Sequence, residues 1–236
     1  MTSNLKSIST FIVAFITFTV IGTLSHEYGH IAAAKFLGYE TTLHYGSMNY
    51  DRAGSVNGKR LQEIRSSFQY EIENNLPFSY KIEYNELIAK NRSDRLWIRI
   101  GGPLQTMLTG TIGFIILLYR KQKIHTSGMT LFDWIAVLLA LFWLRQVFNL
   151  CIGLVKGLLG RVSFFGGDEA HISYWLNLPV GTFSIVTGVV GLGICSYTIF
   201  RIIPRSHHFN FILGGLLGGI IGFILWMKIV GSLILP

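Results

Sequence analysis

Polar and apolar positions along this chain fall into long blocks, not into the short alternation of a soluble fold. Residues 7–25 are 19 consecutive uncharged positions, close to the about 20 residues a helix needs to cross the hydrocarbon of a bilayer. His26, Glu27 and His30 follow at once, then the helix-compatible stretch IAAAKFLG, so one helix is predicted over about residues 7–36. Residues 100–119 give a second span of 20 uncharged residues, opening on Gly101-Gly102-Pro103 and closed by a short basic loop, RKQKIH. A third span is expected over about residues 131–155, with Arg145 in its middle. Pro179 divides the uncharged run 172–200, so residues 180–200 are read as the fourth span and the part before them as a half-helix or re-entrant piece. The fifth covers about residues 209–235. Its Gly214, Gly218 and Gly222, at spacing four, make a flat face for packing within the chain or between two copies.

Between the first two spans, residues 38–95 turn polar and mixed in charge. TTLHYGSMNY alternates weakly, as strands do, and Asn57-Gly58 suits a tight hairpin. The expected architecture is an all-α polytopic membrane protein of about five transmembrane helices. A small mixed β/α polar insertion lies between the first and second, and residues 1–236 form one membrane domain. A secretory signal peptide is the alternative for the first block, with Lys6 ahead of an apolar stretch and small residues at Gly22 and Ser25.

Composition sharpens this picture. Hydrophobic residues make up 50% of the chain and charged residues 14%, against about 25% charged in soluble domains, which excludes an ordinary soluble protein. The net charge of +8 sits mostly between apolar runs, where it favours anionic lipid and sets topology; nucleic acid is not expected as a partner. Lys6, Arg120, Lys121, Lys123, Arg201 and Arg205 lie on the side of the N-terminus. Lys35, Lys90, Arg92, Arg95 and Arg161 lie on the other, so the count of basic residues leaves the orientation open. Cys151 and Cys195 both fall inside apolar runs and suggest neither a disulfide framework nor a cysteine metal site.

The chemistry is concentrated in His26-Glu27-Tyr28-Gly29-His30, an H-E-x-x-H pattern. Helical positions four apart share one face, so both imidazoles can reach one tetrahedral zinc, one ion per chain. Glu27 can then serve as general base for a water at the metal without ligating it. Ionisable residues at the end of a membrane helix are costly to insert and mark function. A catalytic zinc normally has three protein ligands. Asp168, after Phe164-Phe165-Gly166-Gly167, is the favoured third, because the two glycines let backbone come close to a site. Glu169 and His171 are the alternatives, and a plain helix N-cap is the other reading of Asp168. Further off stand His125, Asp133, His207 and His208; the last two read as an interfacial pair and His44 and His125 as surface residues. Arg145 either pairs with Asp168 or Glu169 or lines a polar cavity. Asn149 shares its helix face, and an interhelical hydrogen bond is its simplest role.

TLSHEYGHIAAAKFLGYETTLHYG resembles the first helix and following strand of the site-2 protease family of intramembrane zinc metallopeptidases. Gly102-Pro103-Leu104 resembles that family's Gly-Pro-Leu element, and Asp168 beside Gly166-Gly167 resembles its distal Asp ligand. Gln105 and Thr106 stand where the family commonly has Asn two residues after that element, and Glu169 replaces its usual Gly. The resemblance implies a zinc endopeptidase that cuts a transmembrane protein substrate in or near the bilayer. It also implies zinc on His26, His30 and Asp168, an unwound substrate segment laid along residues 40–50, a substrate or oxyanion contact at Asn149, and a site near the cytosolic side. Other functions compatible with the residues are a zinc hydrolase of a small membrane substrate and a non-catalytic metal-binding scaffold or transporter subunit. Scarce polar residues within the spans argue against transport, and the intact Glu27 against a scaffold.

Overall fold

A computed structural model describes residues 2–161 and 165–236 of the chain. Residues 162–164, among them Phe164 of the glycine-interrupted connection, lie outside the described residues. The chain runs α1 (Thr2–Phe36), β1 (Thr41–Leu43), β2 (Met48–Tyr50), α2 (Val56–Ser67), α3 (Gln69–Glu73) and α4 (Lys81–Ser127). It continues with α5 (Leu131–Ala140), α6 (Leu144–Leu158), α7 (Gly167–Trp175), α8 (Thr182–Tyr197), α9 (His208–Leu225) and α10 (Gly231–Ile234). Among the described residues five helical stretches are long and apolar enough to cross a membrane: Leu5–Phe36, Lys81–Ser127, Leu131–Leu158, Thr182–Ile202 and Arg205–Ile234. The architecture is all-α and polytopic, with one two-stranded antiparallel sheet that pairs Thr41 with Tyr50 and Leu43 with Met48.

Two expectations about the insertion need correction. Asn57-Gly58 makes no hairpin: the pair sits in the first turn of α2, where Ser55 is the N-cap and its Oγ accepts from the Gly58 amide at 3.0 Å. The cap satisfies an amide that a helix start otherwise leaves open, and this outweighs the turn preference of the dipeptide. The helix that carries the second span also neither begins at residue 100 nor ends before RKQKIH. One 47-residue helix carries the polar residues from Lys81, the apolar span and the basic stretch without interruption. At about 1.5 Å per residue its first nineteen residues project some 28 Å beyond the span, as a mast to which the insertion is fastened. Tyr39, buried after α1, donates from its hydroxyl to Asp94 of that mast at 2.7 Å. Burial, and the Asp94 carboxylate it faces, push the Tyr39 hydroxyl pKa up.

The glycine stripe of α9 packs inside the chain, against α1. A Cβ on Gly214 would lie 2.6 Å from Phe11 Cβ, on Gly218 2.6 Å from the Ile12 carbonyl oxygen, and on Gly222 2.9 Å from Ile16 Cα. The helices therefore meet backbone to backbone, which larger residues would prevent. The core beside this seam is aromatic, with Phe11 and Phe15 each about 5.2 Å, centroid to centroid, from buried Phe211. Gly218→Ile places a branched side chain against main chain that cannot yield. It is expected to cost at least about 1–3 kcal/mol, read as a lowered unfolding midpoint of the detergent-solubilised protein. At the end remote from the insertion, buried Asp133 closes the Thr130 capping box and pairs with Arg120, joining α5 to α4.

Candidate metal centre

Three elements distant in sequence supply the site. In α1, His26 and His30 fall one turn apart at the end of the apolar run with Glu27 between them, and all three are buried. Neighbouring α4 brings Gly101-Gly102-Pro103 alongside them. A Cβ on Gly29 would lie 2.7 Å from Gln105 Cβ, and one on Gly102 would lie 2.6 Å from His26 Nε2 and from His30 Cε1. Gly102 thus creates the space the two imidazoles occupy, while Gly29 and Gly101 let the two helices approach backbone to backbone. Pro103 has no amide to offer the carbonyl four residues before it and crowds that turn of the helix. The adjoining Ile98 carbonyl is met by His30 Nδ1 at 2.6 Å.

These contacts fix the imidazole tautomers. A carbonyl oxygen can only accept, so the 2.6 Å contact to Ile98 puts a hydrogen on His30 Nδ1. The Gly102 amide also points at that nitrogen, but at 3.2 Å it is the weaker approach. His26 Nδ1 lies 2.9 Å from Thr106 Oγ1, whose own hydroxyl donates to the Gly102 carbonyl at 3.0 Å. The hydroxyl hydrogen being used there, His26 Nδ1–H donates to Thr106. Both Nε2 atoms are left as bare lone pairs, and they face each other at 3.2 Å.

Asp168 completes the group. Its Oδ2 is 3.5 Å from His26 Nε2 and 3.3 Å from His30 Nε2, so the three atoms form a nearly equilateral triangle. A tetrahedral ion with bonds of about 2.0–2.1 Å requires ligand atoms about 3.3 Å apart, which these separations match. Two lone pairs and a carboxylate oxygen converging in a buried place are a set that only a cation or protons can hold together. His26, His30 and Asp168 can therefore hold a metal ion.

The approach to Asp168 differs in detail from the expectation. At Gly166 no close approach requires a glycine, since nothing stands within 4 Å of a Cβ built there. Gly167 is needed for its backbone, at φ +75°, a region that L side chains rarely adopt. Nor is Asp168 the N-cap of α7, a place taken by Gly166. Buried Phe165 anchors the approach by filling the hollows that Gly153 and Gly181 leave.

The other residues singled out in the sequence are placed as follows. Glu27 is buried beside the triangle, within electrostatic range of His30, Asp168 and Arg145. Glu169 is buried and accepts from the Asn149 amide at 2.9 Å, a bond that ties α7 to α6. His171 turns back on the Gly167 carbonyl at 2.8 Å. Asp133 faces Arg120, His207 packs on Trp134, and His208 meets the Ile203 carbonyl, so none of them approaches the triangle. Arg145 forms no ion pair with Asp168 or Glu169. It lines a largely apolar cleft of about 580 Å³ between α1, the α5–α6 segment and α9, and its Nε is buried without a partner among the described residues. That cleft is also lined by Thr106, the residue that orients His26.

The seating of the two imidazoles by Thr106, the Ile98 carbonyl and Gly102 is the part that the sequence reading missed. Thr106→Val removes the acceptor for His26 Nδ1–H while keeping side-chain volume. It is expected to weaken metal binding by about 10–100-fold, read by competition with a chelator of known affinity. The chain matches no protein-family model, no curated protein and no solved structure.

Proposed function

We propose that this protein is a zinc endopeptidase that hydrolyses a peptide bond in or near a transmembrane segment of another membrane protein, with its site toward the cytosolic face. The observation that carries the reading is the triangle of two imidazoles and one carboxylate with a buried, non-ligating Glu27 beside it. Three protein donors of this kind suit a hydrolytic zinc, whereas structural zinc sites are closed by four. Zinc, when bound, supplies a Lewis acid that polarises the scissile carbonyl and lowers the pKa of water.

The chain's own residues supply the rest. Thr106 and Ile98 hold the imidazoles in the tautomer that presents Nε2. Glu27 takes a proton from the attacking water onto its carboxylate and delivers it to the leaving amine nitrogen, the two transfers that amide hydrolysis needs. Arg145 offers a guanidinium hydrogen in a largely apolar cleft, where an unpaired donor is costly; a substrate carbonyl supplies the acceptor. The cleft lies among membrane-spanning helices, which supports an apolar polypeptide segment as substrate. Peptide groups in a helix are bonded to one another, so the segment must unwind before it is cut. The half-exposed β1–β2 hairpin offers main-chain groups to an extended strand.

The test is hydrolysis of single-span peptides by the purified protein in liposomes, with products mapped by mass spectrometry. Cleavage within or beside the apolar segment, lost on chelation and restored by zinc, is expected. Zinc-loaded protein that leaves every such peptide intact but releases fatty acid from lipid would replace this reading with a lipid hydrolase.

A further inference from the structure

The insertion and the mast of α4 enclose a second, larger hollow that the metal chemistry does not use. Arg92, Arg95 and Arg99 recur at intervals of three and four and so share one face of α4. Arg65 faces them from α2, Arg52 from the segment after β2, and α7 closes the groove with Trp175. The hollow measures about 1190 Å³. Five guanidinium groups line it and one carboxylate, that of Asp51, whose Oδ1 already accepts from the Gly54 amide at 2.9 Å.

This positive charge is unneutralised even though acids stand close by. Arg60, on the same helix as Arg65, is gripped by Glu83 at 2.7 and 2.9 Å and by Glu63 at 3.3 Å. None of the five groove arginines has a carboxylate partner among the described residues. Three lie over aromatic rings instead: Arg92 on Trp175 at 4.4 Å, Arg52 on Tyr50 at 5.7 Å and Arg65 on Tyr84 at 5.9 Å. Stacking holds a guanidinium plane in place and leaves N–H edges for an oxyanion, the geometry that suits phosphate. Like charges held this close repel unless an anion joins them.

Depth identifies the source of that anion. Arg99 is followed directly by the 20 uncharged residues that begin at Ile100, so the arginine face starts where the hydrocarbon ends. Trp97, exposed on α4, stands within a turn of that boundary, where indole rings favour the headgroup layer. We infer that the groove between α2, α4 and α7 binds the phosphate of an anionic phospholipid headgroup. The inference does not depend on the metal reading.

The test is native mass spectrometry of the full-length protein in detergent, titrated separately with phosphatidylglycerol and phosphatidylcholine. One phosphatidylglycerol per chain is expected, bound at least about tenfold more tightly than phosphatidylcholine. Arg92→Gln/Arg95→Gln should weaken it about tenfold or more, and Lys59→Gln/Lys90→Gln, on charges outside the groove, should not. Arg65→Gln on exposed α2 serves if the double variant does not fold. Equal binding of the two lipids, or phosphatidylglycerol binding unchanged in the folded groove variants, overturns the proposal. Millimolar glycerol phosphate is expected not to displace the lipid. Displacement by it, or by an acidic peptide, would overturn the lipid assignment in favour of that ligand.

Discussion

Glu27→Gln is expected to keep the full metal content of the protein and to lower peptide hydrolysis by about 10²–10⁴-fold, the usual worth of a positioned general acid–base. Glutamine has nearly the same shape and fills the same buried place, so the imidazoles and Asp168 keep their positions. What disappears is the oxygen that accepts a proton from water. Single-turnover hydrolysis beside metal analysis of the same sample separates the two effects. A variant that loses metal and activity together would move Glu27 into the ligand set and leave the reaction without its base.

Gly102→Ala should be nearly as damaging, for a steric reason. Alanine is the better helix former, and on an open helix the change would stabilise. Here the new Cβ would stand 2.6 Å from both His26 Nε2 and His30 Cε1. Helix α4 cannot retreat, because it packs through Gly101 against Gly29 and Ala33. The imidazoles must swing away, and metal affinity is expected to fall at least about 100-fold while helix content by circular dichroism is unchanged. A variant with normal affinity would show that the cradle is not as tight as its backbone indicates.

What the sequence revealed and what it concealed divide along sequence distance. His26, Glu27 and His30 were legible because helical periodicity alone places them together, and the apolar blocks announce the five spans by length. Asp168 was legible as one of three neighbours but not decidable, since the choice rests on Asn149 holding Glu169 and on His171 turning back to Gly167. Thr106 and Ile98 lie 80 and 68 residues from the imidazoles they orient, a pairing that only helix packing creates. The polar start of α4 reads as insertion because composition changes at Ile100, while helix propensity does not. Gly101-Gly102-Pro103 reads as the opening of a span but lies inside a continuous helix, where close packing on α1 makes use of the glycines, and the proline lies at the turn where His30 takes a backbone carbonyl.

The most direct test of the central claim is zinc per chain, by elemental analysis of wild-type protein beside His26→Ala, Asp168→Ala and Glu27→Gln. The account predicts one zinc in the wild type and in Glu27→Gln, and little in the other two at matched helix content. Zinc undiminished by Asp168→Ala would contradict the triangle, and a carefully loaded wild type that binds none would contradict the function built on it.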